Sequence, residues 1–239
     1  MTMEHRLAAA EAQIAELAQE VGRLQDVQAI RTLQHSYGFM MDKGLYEEVC
    51  DLFAEDGALH FMGGVWASRA SVRRLYCGRL RAGFTHGVNG PAYGMLAEHW
   101  PSQDVIHVAP DRLTAKARWR CFLLGGAHES KTDRNPHLPQ QWWEWGVYEN
   151  EYVRRDGVWQ ISKLGYYLFV QADYETGWAH STPIPSPFFT KTVVDDPFGP
   201  DYIEDNPHKS WPETPLAPFH YVHPVTGQPI VPQSAPARA

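Results

Sequence analysis

The chain has 239 residues, is 44% hydrophobic and 21% charged, and carries a formal net charge of −7. These are the proportions of an ordinary globular protein with one large domain, or one domain with extensions. The acidic balance speaks against a nucleic-acid partner, because phosphate backbones are gripped by basic patches. No run approaches about 18 consecutive apolar residues, so no membrane partner is expected.

The polar, Ala-rich N-terminus has no basic segment leading into an apolar run, so no signal peptide is expected. Residues 3–34 read as a helix. Leu7, Ile14 and Val21 recur every seven residues, and Ala10, Leu17 and Leu24 fill the alternate seam. That is an a/d heptad pattern. Such a helix is marginal alone and is expected to pack on its own domain or on a partner subunit. The phase shifts near Val27, Ile30 and Leu33, where the helix joins the domain proper.

The next stretch, HSYGFMMDKGLYEEVCDLFAEDGALHFMGG, covers residues 35–64. It places Tyr37 and Asp42 towards the end of an apolar helix. A second helix is expected at about 45–53, with a turn at AEDG and then a short strand that Gly63-Gly64 break. A third helix is expected at about 69–80, with Val72, Leu75 and Tyr76 on one face. HGVNGPAYG reads as a loop. Four strands follow, at 97–108, 113–124, 142–154 and 158–172, with tight turns at APDR and RRDG. The polar insertion AHESKTDRNPHLPQ separates the second of them from the third. From Gly177 onward Pro is dense and periodicity is lost. Yet Trp178, Phe188, Phe189, Trp211, Phe219 and Tyr221 are too many aromatics for a free tail. The expected division is a heptad helix at 1–27, a domain at 28–176 and an ordered, extended arm at 177–239. Cys50, Cys77 and Cys121 are odd in number and set in apolar contexts, which reads as reduced thiols in a cytoplasmic protein.

Three N-terminal helices, a short strand and a long antiparallel meander make an α+β order. The segments IRTLQHSYGFMMDKGLYEEVCDLFAEDGALHF, EHWPSQDVIHVAPDRLTAKARW and VYENEYVRRDGVWQISKLGYY resemble the NTF2-like (nuclear-transport-factor-2-like) superfamily, in particular its SnoaL-like branch. The resemblance spans about residues 28–172. It implies an NTF2-like cone, in which the helices pack on a curved antiparallel sheet around a deep apolar pocket. SnoaL-like dehydratases often carry a Tyr, an Asp five residues later, and a His opening a long strand. Tyr37, Asp42 and His99 match those positions. A catalytic Arg found late in the sheet of some dehydratases has no match in WQISKLGYYLF. The long N-terminal helix, the QQWWEWGVYENEY strand and the PFHYVHPVTGQPIVP arm further resemble the cofactor-free lyases that release formaldehyde from lignin-derived diarylpropane diols.

From spacing alone, Asp42 could cap the second helix near Gly44–Glu47 or serve acid–base chemistry. With Asp42 in reach, the imidazole of His99 is a natural proton shuttle near neutral pH. His60 on the short strand, His86 and Asn89 in the Gly-rich loop, and Trp100 beside His99 are candidate substrate contacts. Trp119, Trp143, Tyr148 and Tyr166 join them as ring-lining candidates. Period-two alternation puts Trp143 and Trp145 on one face of their strand, and Trp142, Glu144 and Tyr148 on the other.

HYVH at 220–223 lacks a nearby carboxylate and a helical presentation. No Cys/His ligand set, Gly-rich phosphate loop or Gly-x-Ser-x-Gly elbow occurs elsewhere. No metal and no cofactor are therefore expected, and the accessible chemistry is proton transfer. The resemblance points to a cofactor-independent lyase on a small aromatic substrate, a phenolic diol that loses its benzylic hydroxyl and releases formaldehyde. The alternatives are a dehydratase or ketosteroid-type isomerase on a hydrophobic polycyclic substrate, and a non-catalytic hydrophobic-ligand carrier. A homo-oligomer, dimer or trimer, is expected, with both the heptad seam and the aromatic-rich arm packing against a subunit neighbour.

Overall fold

The structure is a computed structural model that describes residues 2–133 and 139–232. Part of the polar insertion and the last stretch of the arm lie outside the described residues. Helix α1 runs unbroken from Met3 to Asp42, beyond the end expected at residue 34. No Gly or Pro able to stop it occurs until Gly44, whose φ of 63° ends it in the left-handed region. Thr2 caps its start by accepting from the His5 amide. Within the domain, Gly22, Asp26, Ile30, Gln34, Tyr37 and Gly38 form its buried face.

Helix α2 (Tyr46–Asp51) is capped from outside, because the Asn89 side chain accepts from the Glu47 amide at 3.0 Å. Strand β1 (Phe53–Phe61) starts where a helix end and a turn are expected. AEDG forms an irregular stretch of this strand rather than a turn. Parallel pairing with the sixth strand captures Phe53 and Ala58–Phe61, and the register breaks between them. A short hairpin leads to β2 (Gly64–Trp66), with φ of 51° at Met62 and 86° at Gly63. Helix α3 (Arg69–Arg73), capped by Ser68, continues as a π-helical segment (Arg74–Leu80) and then as α4 (Arg81–Phe84). The helical stretch thus outlasts its expected end by one turn.

The long strands fall where alternation and turn residues put them: β3 (Met95–Val108), β4 (Thr114–Ala127), β5 (Gln141–Arg155) and β6 (Val158–Asp173). A two-residue strand in the arm, β7 (Tyr202–Ile203), completes a seven-stranded sheet of order β3-β4-β5-β6-β1-β2-β7. The sheet is not wholly antiparallel, because β1 pairs in parallel with β6.

One face of the sheet wraps α1, α2 and the π-helical segment. The core between them holds Ile30, Tyr37, Val49, Phe53, Trp66, Leu75, Trp119, Tyr152 and Ile161. The described part of the arm lies on its own domain. Phe189 packs against Trp66 and Phe61, with Arg79 over its ring. Arg74 pairs with Asp201 at 2.5 Å, Arg79 pairs with Asp196, and Arg118 stacks over Phe219 at 3.7 Å. Cys50 and Cys121 are buried and Cys77 is half-buried. All three are free thiols, with Cys50 and Cys77 sulfurs 3.8 Å apart. No described helix is long and apolar enough to cross a membrane.

Candidate active site

The end of α1 meets the edge strand β3 at a close approach that a glycine eases. A Cβ on Gly38 would lie 3.2 Å from Pro101 and 3.5 Å from the His99 carbonyl oxygen. This close approach brings the Asp42 carboxylate onto His99. One carboxylate oxygen of Asp42 accepts from the His99 amide at 2.6 Å and lies 2.8 Å from the ring Nδ1. Asp42 therefore does not cap α2. An ionised carboxylate only accepts, so Nδ1 is the donor in this contact. The Asp42 side chain is 3% exposed and that of His99 14%.

Strand register aligns His99 with Leu123 and Leu123 with Glu144, so all three side chains project from the inner face. Glu144 is buried, and accepts from the Tyr166 hydroxyl at 2.9 Å and from the Gln171 amide at 2.7 Å. Burial raises its carboxyl above the usual carboxylate range, against the downward pull of Gln171, Tyr166 and the nearby His99. Beside it a phenol cluster runs inward. Tyr166 packs on Tyr148 at 4.8 Å between ring centroids, Tyr148 packs on Tyr37 at 6.1 Å, and Tyr37 shares a 2.8 Å hydrogen bond with Tyr76. Burial raises all four phenols above the ordinary tyrosine value, so they stay neutral. Burial, and then the Glu144 carboxylate, push the Cys121 thiol up to about 12, so it is no nucleophile near neutral pH.

The inner face therefore brings together Asp42, His99, Tyr37, Tyr148 and Tyr166. Trp119 lies on it too, against His35, with its indole N–H donated to Tyr152. The other candidates are elsewhere. His60 faces the opposite side of the sheet, where its Nδ1 lies 2.7 Å from Glu204 of the arm. It lines a cleft of about 470 Å³, solvent mouth included, with Tyr167, Ile184, Glu204 and His208. His86 sits in an exposed loop with Lys131 and Asp133. The polar groups of Asn89 are taken up by Glu47, Glu48 and Arg81. Trp100 and Trp143 lie on the outer face. Trp100 is 54% exposed against Phe122, and Trp143 packs on Tyr174 and Trp178.

Glu144, Tyr76 and Gln171 are the inner-face groups that sequence reasoning did not single out. Glu144 had a legible signal, a lone carboxylate in WWEWG on the same face as Trp142 and Tyr148. Gln171 had none, because a register shift between Trp145 and Gly146 reverses the parity of β6. The Trp142 indole N–H, on the same face, is buried with no hydrogen-bond partner among the described residues. Those residues contain no group of three or more His, Cys, Asp or Glu placed to hold a metal ion.

No curated protein matches the chain. Among solved structures, LinA is 20% identical, covering 64% of this chain and 92% of its own, with a TM-score of 0.51. The hexachlorocyclohexane dehydrochlorinase LinA-type3 of Novosphingobium barchaimii LL02 is 19% identical, with coverages of 64% and 92% and a TM-score of 0.50. A protein of Novosphingobium aromaticivorans DSM 12444, provisionally named a scytalone dehydratase, is 19% identical, with coverages of 63% and 89% and a TM-score of 0.49. The model of the SnoaL-like domain matches residues 22–165, which span α1 from Gly22 through most of the sheet. The chain belongs to the SnoaL-like family of the NTF2-like superfamily.

Proposed function

We propose that this protein is a cofactor-independent lyase that acts on a phenolic diol of the diarylpropane type. The observation that carries the acid–base reading is the part-buried Asp42–His99 pair on the same inner face as a carboxyl, Glu144, whose burial favours the protonated form. A base and an acid poised on one aromatic wall suit an elimination that needs no external electron sink. In this reading the substrate's para-phenol gives up its proton to solvent as Glu144 protonates the departing benzylic hydroxyl. Water leaves and a quinone methide forms. His99, through Nε2 and steadied by Asp42, takes the proton of the primary hydroxyl. The carbon–carbon bond to that carbinol breaks, formaldehyde departs, and its electron pair restores the aromatic ring as the stilbene double bond forms. The phenolate regains a proton from solvent, the proton on His99 returns by exchange to Glu144, and diol becomes stilbene, formaldehyde and water with no net oxidation. Tyr37 backs the phenol wall, and the Trp142 N–H offers a donor to a substrate oxygen.

A dehydratase is the second reading, favoured by the same acid–base pair and by the elimination that the name of the LinA dehydrochlorinases describes. Incubation with a panel of phenolic diols and hydroxylated polycycles, assayed for formaldehyde, water loss and isomerisation, separates the two. Formaldehyde and stilbene in equal amounts are expected. His99→Ala and Asp42→Asn should each slow turnover by about a hundredfold or more. Water loss alone selects the dehydratase. Tight binding without turnover selects a carrier.

A further inference from the structure

Helix α1 leaves the domain and projects beyond it. Every residue from Thr2 to Val21 is exposed, so the first half of a 40-residue helix buries nothing. Yet this half carries the heptad seam. Leu7, Ile14 and Val21 occupy its a positions, and Ala10, Leu17 and Leu24 its d positions. The exposures of its large side chains run from 52% for Val21 to 65% for Ile14.

The seam cannot be covered by its own domain. At about 100° per residue, its positions centre roughly 180° around the helix from Gly22, Asp26, Ile30, Gln34 and Tyr37, which the sheet and its turns cover. The base of α1 is held in that orientation by Asp26. Its carboxylate accepts from Arg112 at 2.5 Å and from the Trp159 indole at 3.0 Å, and pairs with Arg154 at 3.4 Å. Rotating the seam inward would break this cluster.

We infer that the seam docks a second copy of this chain in a two-stranded, parallel coiled coil. The a and d chemistry selects the number of strands. In its last two heptads β-branched Ile14 and Val21 stand at a and Leu17 and Leu24 at d, the combination that packs two parallel helices. Charge agrees. In the parallel register Arg6 of one copy, at g, faces Glu11 of the other, at e, and no like charges meet across the seam. The seam supplies the surface that an otherwise bare helix lacks. A solvated helix of this length without tertiary support is marginal.

The test uses the full chain. Light scattering at micromolar concentration should give the mass of a dimer, and a monomer or trimer overturns the proposal. Leu17→Glu should halve that mass while the melting of the domain stays cooperative, since Leu17 lies on the exposed stretch of α1 beyond the domain. An unchanged mass removes the seam from the interface. Ala10→Cys should form a covalent dimer on mild oxidation, where the wild-type chain with its native cysteines does not. A parallel seam sets the two positions 10 side by side, within the roughly 7 Å that a disulfide spans. An antiparallel seam pairing Leu7 with Leu24 holds them about 16 Å apart. A dimer that fails to cross-link overturns the parallel arrangement.

Discussion

Glu144 shows how burial changes the use of one side chain. A carboxyl on a solvated strand is an anion at neutral pH and can only accept. On the inner face, its raised pKa keeps a proton available above the ordinary value of 4.5. The sign of the pH effect follows. Folding favours the protonated form, so the stabilisation is complete below the unfolded value and fades as pH rises through the folded one. An activity that spends this proton falls along the same limb. Glu144→Gln keeps the shape but cannot titrate. It is expected to lower turnover by about a hundredfold and to abolish the alkaline decline that belongs to this group. A pH–rate profile checks this, and an unchanged alkaline limb removes Glu144 from the proton transfer.

Among the elements, α1 joins the projecting seam to the candidate site, since it carries the heptad seam, Asp26 and Asp42 on one continuous helix. Burial pulls the Asp26 carboxyl up, but the hydrogen bonds from Arg112 and Trp159 and the charges of Arg112 and Arg154 outweigh it and hold the carboxyl below its ordinary 3.8. A depressed carboxyl stabilises the fold above the unfolded value, and that contribution is lost as pH falls through the folded value. Asp26→Asn should therefore melt several degrees below wild type at pH 7, at about 2–4 °C for each kcal/mol lost. The gap should narrow as pH drops below about 4. Thermal melts at pH 7 and pH 3 test this, and equal gaps at both would show that the cluster acts through packing and not through charge.

For the whole molecule, the arm is part of the fold. Phe189 plugs the end of the core between Trp66 and Phe61, and β7 extends the sheet beyond β2. Phe189 is buried, so Phe189→Ala should cost about 3–5 kcal/mol as the ring's contacts and its cavity are lost together. Denaturant unfolding measures that cost. Limited proteolysis should then cut first within residues 177–200, and uniform resistance there would mean that the salt bridges to Asp196 and Asp201 hold the arm unaided.

Sequence alone determined what depends on local periodicity and turn chemistry. The four long strands and the heptad helix were legible, because alternation, heptads and Gly or Asp turns are written in neighbouring residues, whereas Tyr37, Asp42 and His99 stood out only through the resemblance to SnoaL-like dehydratases. The structure brings Asp42 and His99 together although 57 positions separate them. The spacing left Asp42 open between a cap and a pair, and the Gly38–Pro101 approach decided it. What escaped the sequence depends on pairing partners and on sidedness. AEDG has turn residues, yet parallel pairing with β6 keeps it within a strand. His60 and Trp143 have suitable chemistry, but project from the far face of the sheet. Gln171 reaches Glu144 only because a bulge reverses its parity. A β-strand has two faces, and a single register shift exchanges them. Which candidate meets the site was therefore decided by how the strands pair, and neighbouring residues do not encode that pairing.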